Sequence, residues 1–110
     1  MLFWAAWCGP CRIEIDNFAA LERSAAPMKL IVVATDGSPR SRQLLRGVPV
    51  NQLRFPADPS VDVMSMLGDR SNGLPVALAI DANGQVCASR RGGVAPDDLA
   101  LWRTLCLKKP

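Results

Sequence analysis

The first twelve residues, MLFWAAWCGPCR, constrain the fold more than any other part of the chain. Residues 1–6 are a continuous apolar run with aromatics, which is typical of a strand buried on both faces, and Gly9-Pro10 ends that run. From Cys11 onward, apolar residues recur at helical spacing until Pro27. A buried strand that leads directly into a helix favours an α/β fold.

The rest of the chain continues the alternation of strands and helices. Strands are predicted at residues 30–35, 53–57, 76–80 and 85–90, and helices at 39–46, at 58–67 and from residue 96 onward. We expect the first two strands to be parallel with a right-handed crossover, and residues 81–84 to form a hairpin turn. This order predicts a three-layer α/β/α sandwich around a mixed central sheet, with residues 1–110 forming one domain.

Composition argues against several classes of protein. The 13 basic residues are scattered and give a net charge of only +3, so a nucleic-acid surface is not expected. The longest apolar runs, residues 1–7 and 30–34, are far shorter than the ~20 residues of a membrane-spanning helix. A signal peptide is not expected either, because no basic segment precedes the apolar run and bulky Trp7 stands before Cys8.

Cys8 and Cys11 form a C-x-x-C pair at the predicted start of the first helix. Unpaired backbone N–H groups and the positive end of the helix dipole stabilise a thiolate there, which makes Cys8 a nucleophile. Gly9 tolerates the turn and Pro10 suits the first helical position, while Cys11 lies one turn on, within disulfide reach. The pattern predicts thiol–disulfide exchange, in which Cys8 attacks a partner disulfide and Cys11 resolves the mixed disulfide.

Two other interpretations of the cysteine pair are weaker. Half of a zinc site would need further ligands, but Cys87 and Cys106 stand alone in a predicted strand and helix, and the chain has no histidine. A buried pair without chemistry is disfavoured because a helix start flanked by aromatics fits an exposed reactive edge better. Trp4 is predicted to be core, whereas Trp7 is expected to cover the Cys8 thiol and contact the partner. No metal or organic cofactor is expected.

The segment FWAAWCGPCR at residues 3–12, followed by Glu14, resembles the active site of the thioredoxin superfamily. It is most similar to the TlpA-like branch of periplasmic or membrane-tethered thiol-disulfide oxidoreductases, which includes the cytochrome c maturation reductases. Residues 73–76, GLPV, and 81–86, DANGQV, resemble the cis-proline loop and terminal hairpin of that family. Residues 55–59 resemble the strand and helix inserted in the same branch.

The resemblance implies a protein-disulfide reductase that acts on protein substrates and is recycled by a redox partner protein. It implies that Pro75 is cis and faces the disulfide, and that the Leu74 backbone pairs with a substrate strand. The expected substrate-binding residues are Trp7, Gly9, Pro10, Leu74 and Pro75. A periplasmic or membrane-tethered location follows from the resemblance alone. The alternative is a thiol-based metal or haem-protein chaperone of the same fold without turnover.

The chain departs from the family pattern at several positions. Asp16 stands where relatives carry a helix-kinking proline. Glu14 and Asp16 could transfer protons to or from Cys11. The favoured interpretation is that both are solvated acids on the helix surface. Cys87 and Cys106 are expected to be small buried apolar residues, with a strand-to-helix disulfide as the alternative. Met1 occupies a mid-strand position where relatives have a preceding β-hairpin, so N-terminal truncation is expected.

Overall fold

The computed structural model describes residues 1–6, 8–35, 37–56 and 76–107. Its strands are β1 (Leu2–Trp4), β2 (Val32–Ala34), β3 (Leu53–Arg54), β4 (Val76–Ile80) and β5 (Val86–Arg91). Its helices are α1 (Gly9–Asp16), α2 (Phe18–Ala25), α3 (Pro39–Leu44) and α4 (Pro96–Leu107), with a short 3₁₀ helix at Val50–Gln52. The predicted helix at 58–67 lies outside the described residues, as do Lys108 and Lys109.

Within the described ranges, five strands form a mixed sheet in the order β3-β2-β1-β4-β5. The pairs β1–β2 and β2–β3 are parallel, whereas β4 is antiparallel to both β1 and β5. The predicted α/β class, the parallel first pair and the antiparallel hairpin are therefore confirmed. Because β1 is the middle strand of the sheet, the chain that leaves its carboxyl end begins α1 at the centre of that end of the sheet.

The core follows the central strand. Leu2 and Trp4 lie on the same face of β1 because alternate strand residues share a face. Leu2 belongs to a buried cluster with α2 and α4, whereas Trp4 belongs to a second cluster that includes Cys8 and Cys11. Phe3, on the opposite face, is buried as well, so both faces of β1 are covered, as a three-layer sandwich requires. Trp4 is core, as predicted.

The helix predicted from Cys11 to Pro27 is wrong as one continuous element. Asn17 leaves helical geometry, with φ −102° and ψ 15°, and separates α1 from α2. Its N–H still donates to Ile13 O and Glu14 O, so the backbone amide of Asn17 keeps a hydrogen-bond partner despite the break. Asparagine is a weak helix former, and the interruption therefore arises without the family proline.

Cys87 of β5 and Cys106 of α4 form a disulfide, with their Cα atoms 5.5 Å apart. The favoured prediction that they are merely small apolar residues is wrong, and the alternative of a strand-to-helix disulfide is confirmed. On the last helix, Leu99, Trp102 and Cys106 are buried, whereas Leu105, which helical spacing places on the same side, is 51% exposed. The helix packs on the sheet through a narrower stripe than its apolar residues suggest.

Candidate active site

The Cys8–Cys11 pair lies where β1 gives way to α1. Cys8 has extended geometry and acts as the N-cap of α1, whose first two residues are Gly9 and Pro10. The Cys8 Sγ accepts a hydrogen bond from the Cys11 N–H at 3.2 Å. The sulfur thus takes the place of the side-chain oxygen that usually caps a helix, next to amide donors that favour negative charge.

The two cysteines form a disulfide, with their Cα atoms 5.2 Å apart. Cys8 is 3% and Cys11 0% exposed, so the prediction that the pair lies at an exposed edge is wrong for the cysteines themselves. Gly9 and Pro10 between them are exposed. Among the described residues, the surface next to the disulfide is therefore the first turn of α1, and the sulfur atoms lie beneath it.

The surroundings of the two sulfur atoms differ. The Cys11 Sγ lies 3.9 Å from the Phe3 carbonyl oxygen, which can accept a hydrogen bond from the Cys11 thiol once the disulfide is reduced. Cys8 Sγ instead faces a donor, the Cys11 N–H. A donor favours the anion and an acceptor favours the protonated thiol, so the geometry favours thiolate at Cys8 and thiol at Cys11.

Glu14 is buried, with 5% of its surface exposed, and the favoured prediction of a solvated acid is wrong for this residue. It follows Cys11 by three positions, and residues at that spacing on a helix are neighbours on one face. Its Oε2 accepts the Val94 N–H at 2.8 Å. Burial raises the pKa of the Glu14 carboxyl above its usual range, and the Val94 hydrogen bond opposes that effect.

Asp16 is exposed at the end of α1, as a solvated acid should be. It lines a small cavity of about 90 Å³ together with Trp4, Arg12, Ile15 and Leu44. Glu14 and Asp16 thus have different environments, and of the two only Glu14 is buried, on the helix face that carries Cys11.

Three of the sequence-predicted substrate-binding residues, Trp7, Leu74 and Pro75, lie outside the described residues. The nearest described position to the predicted cis-proline is Val76, which pairs with Phe3 of β1. Val94, in contrast, contacts the site and was missed by sequence reasoning. It acts through its backbone N–H, which has no signature in the residue type; the preceding Gly92-Gly93 was the available signal of a turn.

In the part of the chain that the structure describes, no three His, Cys, Asp or Glu side chains are grouped closely enough to hold a metal ion. No helix there has the length and apolarity needed to cross a membrane.

No protein-family model matches the chain. The chain is 23% identical over 105 residues to sporulation thiol-disulfide oxidoreductase A of Bacillus subtilis strain 168, and the match covers 91% of this chain. It spans 62% of that relative, which is less than two thirds of its length.

Solved structures with the same architecture belong to proteins that are also named for thiol–disulfide chemistry or its family. A thiol:disulfide interchange protein described as DsbE, from Chlorobium tepidum, is 28% identical, with a TM-score of 0.67 over 91% of this chain and 71% of that one. The MTB protein DsbF, solved in mixed oxidized and reduced forms, is 26% identical, with a TM-score of 0.69 over 94% of this chain and 75% of that one. The structural neighbours are thus thioredoxin-fold thiol-disulfide oxidoreductases, and the thioredoxin-like fold is confirmed.

Proposed function

We propose that this chain, whose relatives are thioredoxin-fold thiol-disulfide oxidoreductases, exchanges its Cys8–Cys11 dithiol and disulfide with protein substrates and acts as a reductase. The observation that carries the proposal is the Cys8 Sγ at the N-cap of α1, 3.2 Å from the Cys11 amide nitrogen. That position stabilises the thiolate needed for attack. The nearby Cys11 supplies the second thiol.

The reduced protein begins the cycle. The Cys8 thiolate attacks one sulfur of a substrate disulfide, that S–S bond breaks, and the departing substrate thiolate takes up a proton. A mixed disulfide now joins Cys8 to the substrate. Cys11 then loses its proton and attacks the Cys8 sulfur, which forms the Cys8–Cys11 disulfide and releases the second substrate thiolate. Two electrons pass to the substrate, and a partner protein must then reduce the Cys8–Cys11 disulfide with two electrons from its own dithiol, which becomes a disulfide.

Glu14 is the proposed proton acceptor for Cys11. The Cys11 thiol must be deprotonated at the resolving step, although its surroundings favour the neutral form. A carboxylate on the same helix face can take that proton directly or through water. Burial supports this role because a carboxyl with a raised pKa is a stronger base than a solvated one. Asp16 is exposed, so we assign it no more than an accessory part in proton transfer.

Substrate contact is proposed at the exposed first turn of α1. A Cβ placed on Gly9 would meet nothing within 4 Å, so no internal packing demands glycine there. The absent side chain instead leaves room for a substrate backbone to approach the buried Cys8. From the family resemblance alone, Trp7, Leu74 and Pro75 are proposed to contact the substrate as well.

An insulin-reduction assay with dithiothreitol tests the function. The intact protein is expected to accelerate precipitation of the insulin chains, and both Cys8→Ser and Cys11→Ser should lose turnover. Only Cys11→Ser should accumulate a mixed disulfide with the substrate, because it keeps the attacking thiol and lacks the resolving one. Absence of activity in the intact protein, with substrate binding retained, would favour the non-catalytic chaperone function instead.

A further inference from the structure

The second disulfide joins two elements, β5 and α4, whose connecting loop contacts the candidate active site. Cys87 in β5 and Cys106 in α4 are 19 positions apart, and the connection between the two elements runs through residues 92–95. Cys106 is buried in the cluster that α2 and α4 form on the sheet, and Cys87 packs against that cluster. The disulfide therefore ties the edge strand to the last helix from within the core.

The loop at residues 92–95 is also held near its own ends. Asp98 in the first turn of α4 accepts the Ala95 N–H at 2.8 Å and forms an ion pair with Arg90 of β5 at 3.2 Å. Gly92 takes a positive φ of 89°, which lets the chain turn out of β5. Because the Arg90–Asp98 pair is partly exposed, it is screened by solvent and holds the loop less firmly than the covalent bond does.

This loop carries the donor that fixes Glu14. Val94 is buried, and its N–H reaches the Glu14 Oε2 at 2.8 Å. Gly93 lies alongside, since a Cβ placed on it would be 3.9 Å from the same oxygen. The loop thus contacts the carboxylate of Glu14, and Glu14 belongs to α1, the helix that bears Cys11.

We propose that the Cys87–Cys106 disulfide is a positioning brace for the active site: it fixes the 92–95 loop so that the Val94 N–H holds the carboxylate of Glu14, one turn after Cys11 on α1, and so sets the redox equilibrium of the Cys8–Cys11 pair. The brace acts without exchanging electrons with Cys8 or Cys11. This inference rests on the proposed function, because it assigns the second disulfide a part in the chemistry of the first.

The direction of the effect follows from charge. A carboxylate held as an anion one helical turn after Cys11 disfavours a second negative charge on an active-site thiolate. The reduced form contains that thiolate and the disulfide form does not. Loosening the loop removes a charge-assisted hydrogen bond from Glu14, favours its protonation, and shifts the Cys8–Cys11 equilibrium toward the dithiol.

The test compares four proteins: the intact chain, the double variant Cys87→Ala/Cys106→Ala, the single variant Glu14→Gln, and the triple variant that combines all three changes. The equilibrium constant of the Cys8–Cys11 disulfide is measured in glutathione buffers by alkylation and mass spectrometry. We expect removal of the brace to shift the constant toward the dithiol by threefold to about tenfold, which is less than the full loss of a hydrogen bond to a charged group would cause, because the loop is loosened and not removed. In the Glu14→Gln background, the same removal should shift it less than twofold. Thr104→Ala, a change on the exposed side of α4, serves as a control and should leave the constant unchanged.

An unchanged constant in the presence of Glu14, or an equal shift in both backgrounds, would overturn the proposal. A purely structural disulfide would alter unfolding in urea and leave the constant alone. If the cysteine variant does not fold, Glu14→Gln in the otherwise intact chain should by itself shift the constant toward the dithiol, because it removes the charge through which the loop acts. No shift in that variant overturns the proposal as well. The glutathione equilibrium needs no protein substrate, so its result is independent of the insulin assay.

Discussion

The Glu14 carboxylate accepts the backbone N–H of Val94 at 2.8 Å, although the two residues are 80 positions apart in the chain. This contact joins the helix that bears Cys11 to the loop that precedes α4. It gives a buried acid one good donor, which satisfies part of its hydrogen-bonding capacity and leaves burial as the larger influence on its pKa. The carboxylate of Glu14 therefore joins two segments of the fold, in addition to its proposed part in proton transfer.

Glu14→Gln should change how stability depends on pH. Burial raises the folded-state pKa of Glu14 above its ordinary value of 4.5, so the folded chain binds a proton at a higher pH than the unfolded chain does. The free energy of unfolding contributed by this group therefore rises as the pH falls through the folded-state pKa, and the gain is complete below 4.5. Urea unfolding at pH 7 and pH 5 should show the intact protein gaining stability relative to Glu14→Gln at the lower pH.

Asp16→Asn is the matched control for that experiment, because it removes an exposed carboxylate from the same helix. It should follow the intact protein at both pH values. A constant difference between the intact protein and Glu14→Gln across this range would contradict the argument from burial.

Cys8 should react before Cys11 in the reduced protein. The Cys8 sulfur receives the Cys11 N–H, whereas Cys11 is fully buried and faces the Phe3 carbonyl oxygen. Limited treatment with iodoacetamide near neutral pH, followed by peptide mass spectrometry, should find Cys8 alkylated faster by about tenfold or more. Preferential labelling of Cys11 would reverse the proposed roles of the two thiols.

Gly9→Ala should separate folding from substrate docking. Because an added Cβ meets nothing within 4 Å, the variant should fold, with a free energy of unfolding unchanged or raised by up to ~1 kcal/mol. Its kcat/KM for insulin should fall severalfold, while its rate with a small aromatic disulfide should change little. Gly47→Ala, where an added Cβ also meets open space, is the control outside the site. Equal losses with both substrates would argue against a docking role for the α1 surface.

Gln52→Ala should destabilise the fold without altering the redox equilibrium. The Gln52 Nε2 donates to Leu30 O at 3.0 Å and to the Glu22 carboxylate, and it thereby ties the 3₁₀ helix to the segment before β2 and to α2. Loss of the side chain leaves the Leu30 carbonyl without this donor, which should lower the free energy of unfolding by roughly 1–3 kcal/mol. Urea unfolding measures the loss, with the exposed neighbour Asn51→Ala as control. Similar values for the two variants would show that the contact contributes little.

The elements that sequence patterns predicted well are those with strong local signals. Ser38 caps α3 by accepting the Ser41 N–H at 3.2 Å, with Pro39 in the first turn, as the pattern Ser-Pro suggests. Asp81 Oδ1 accepts the N–H groups of Asn83 and Gln85, and Gly84 adopts a positive φ, which closes the predicted hairpin. In each case the residues that decide the structure are close together in the chain.

Contacts between distant residues were less predictable. The spacing of Cys87 and Cys106 was compatible with either free thiols or a disulfide, and only the packing of α4 against β5 brings them together. Glu14 has the sequence context of a surface acid, since helices commonly carry acids on their solvent face. It is buried because the loop after β5 folds over that part of α1.

The sequence by itself determined the alternation of strands and helices, the junction that places Cys8 at the start of a helix, and the spacing that brings Cys8 and Cys11 within disulfide reach. These depend on hydrophobic period, capping and spacing, which act over a few residues. The tertiary structure decided the depth of the two sulfur atoms, the second disulfide and the environment of Glu14. Those depend on which segments meet across the sheet, and desolvation and backbone hydrogen bonds from remote residues leave no local pattern in the chain.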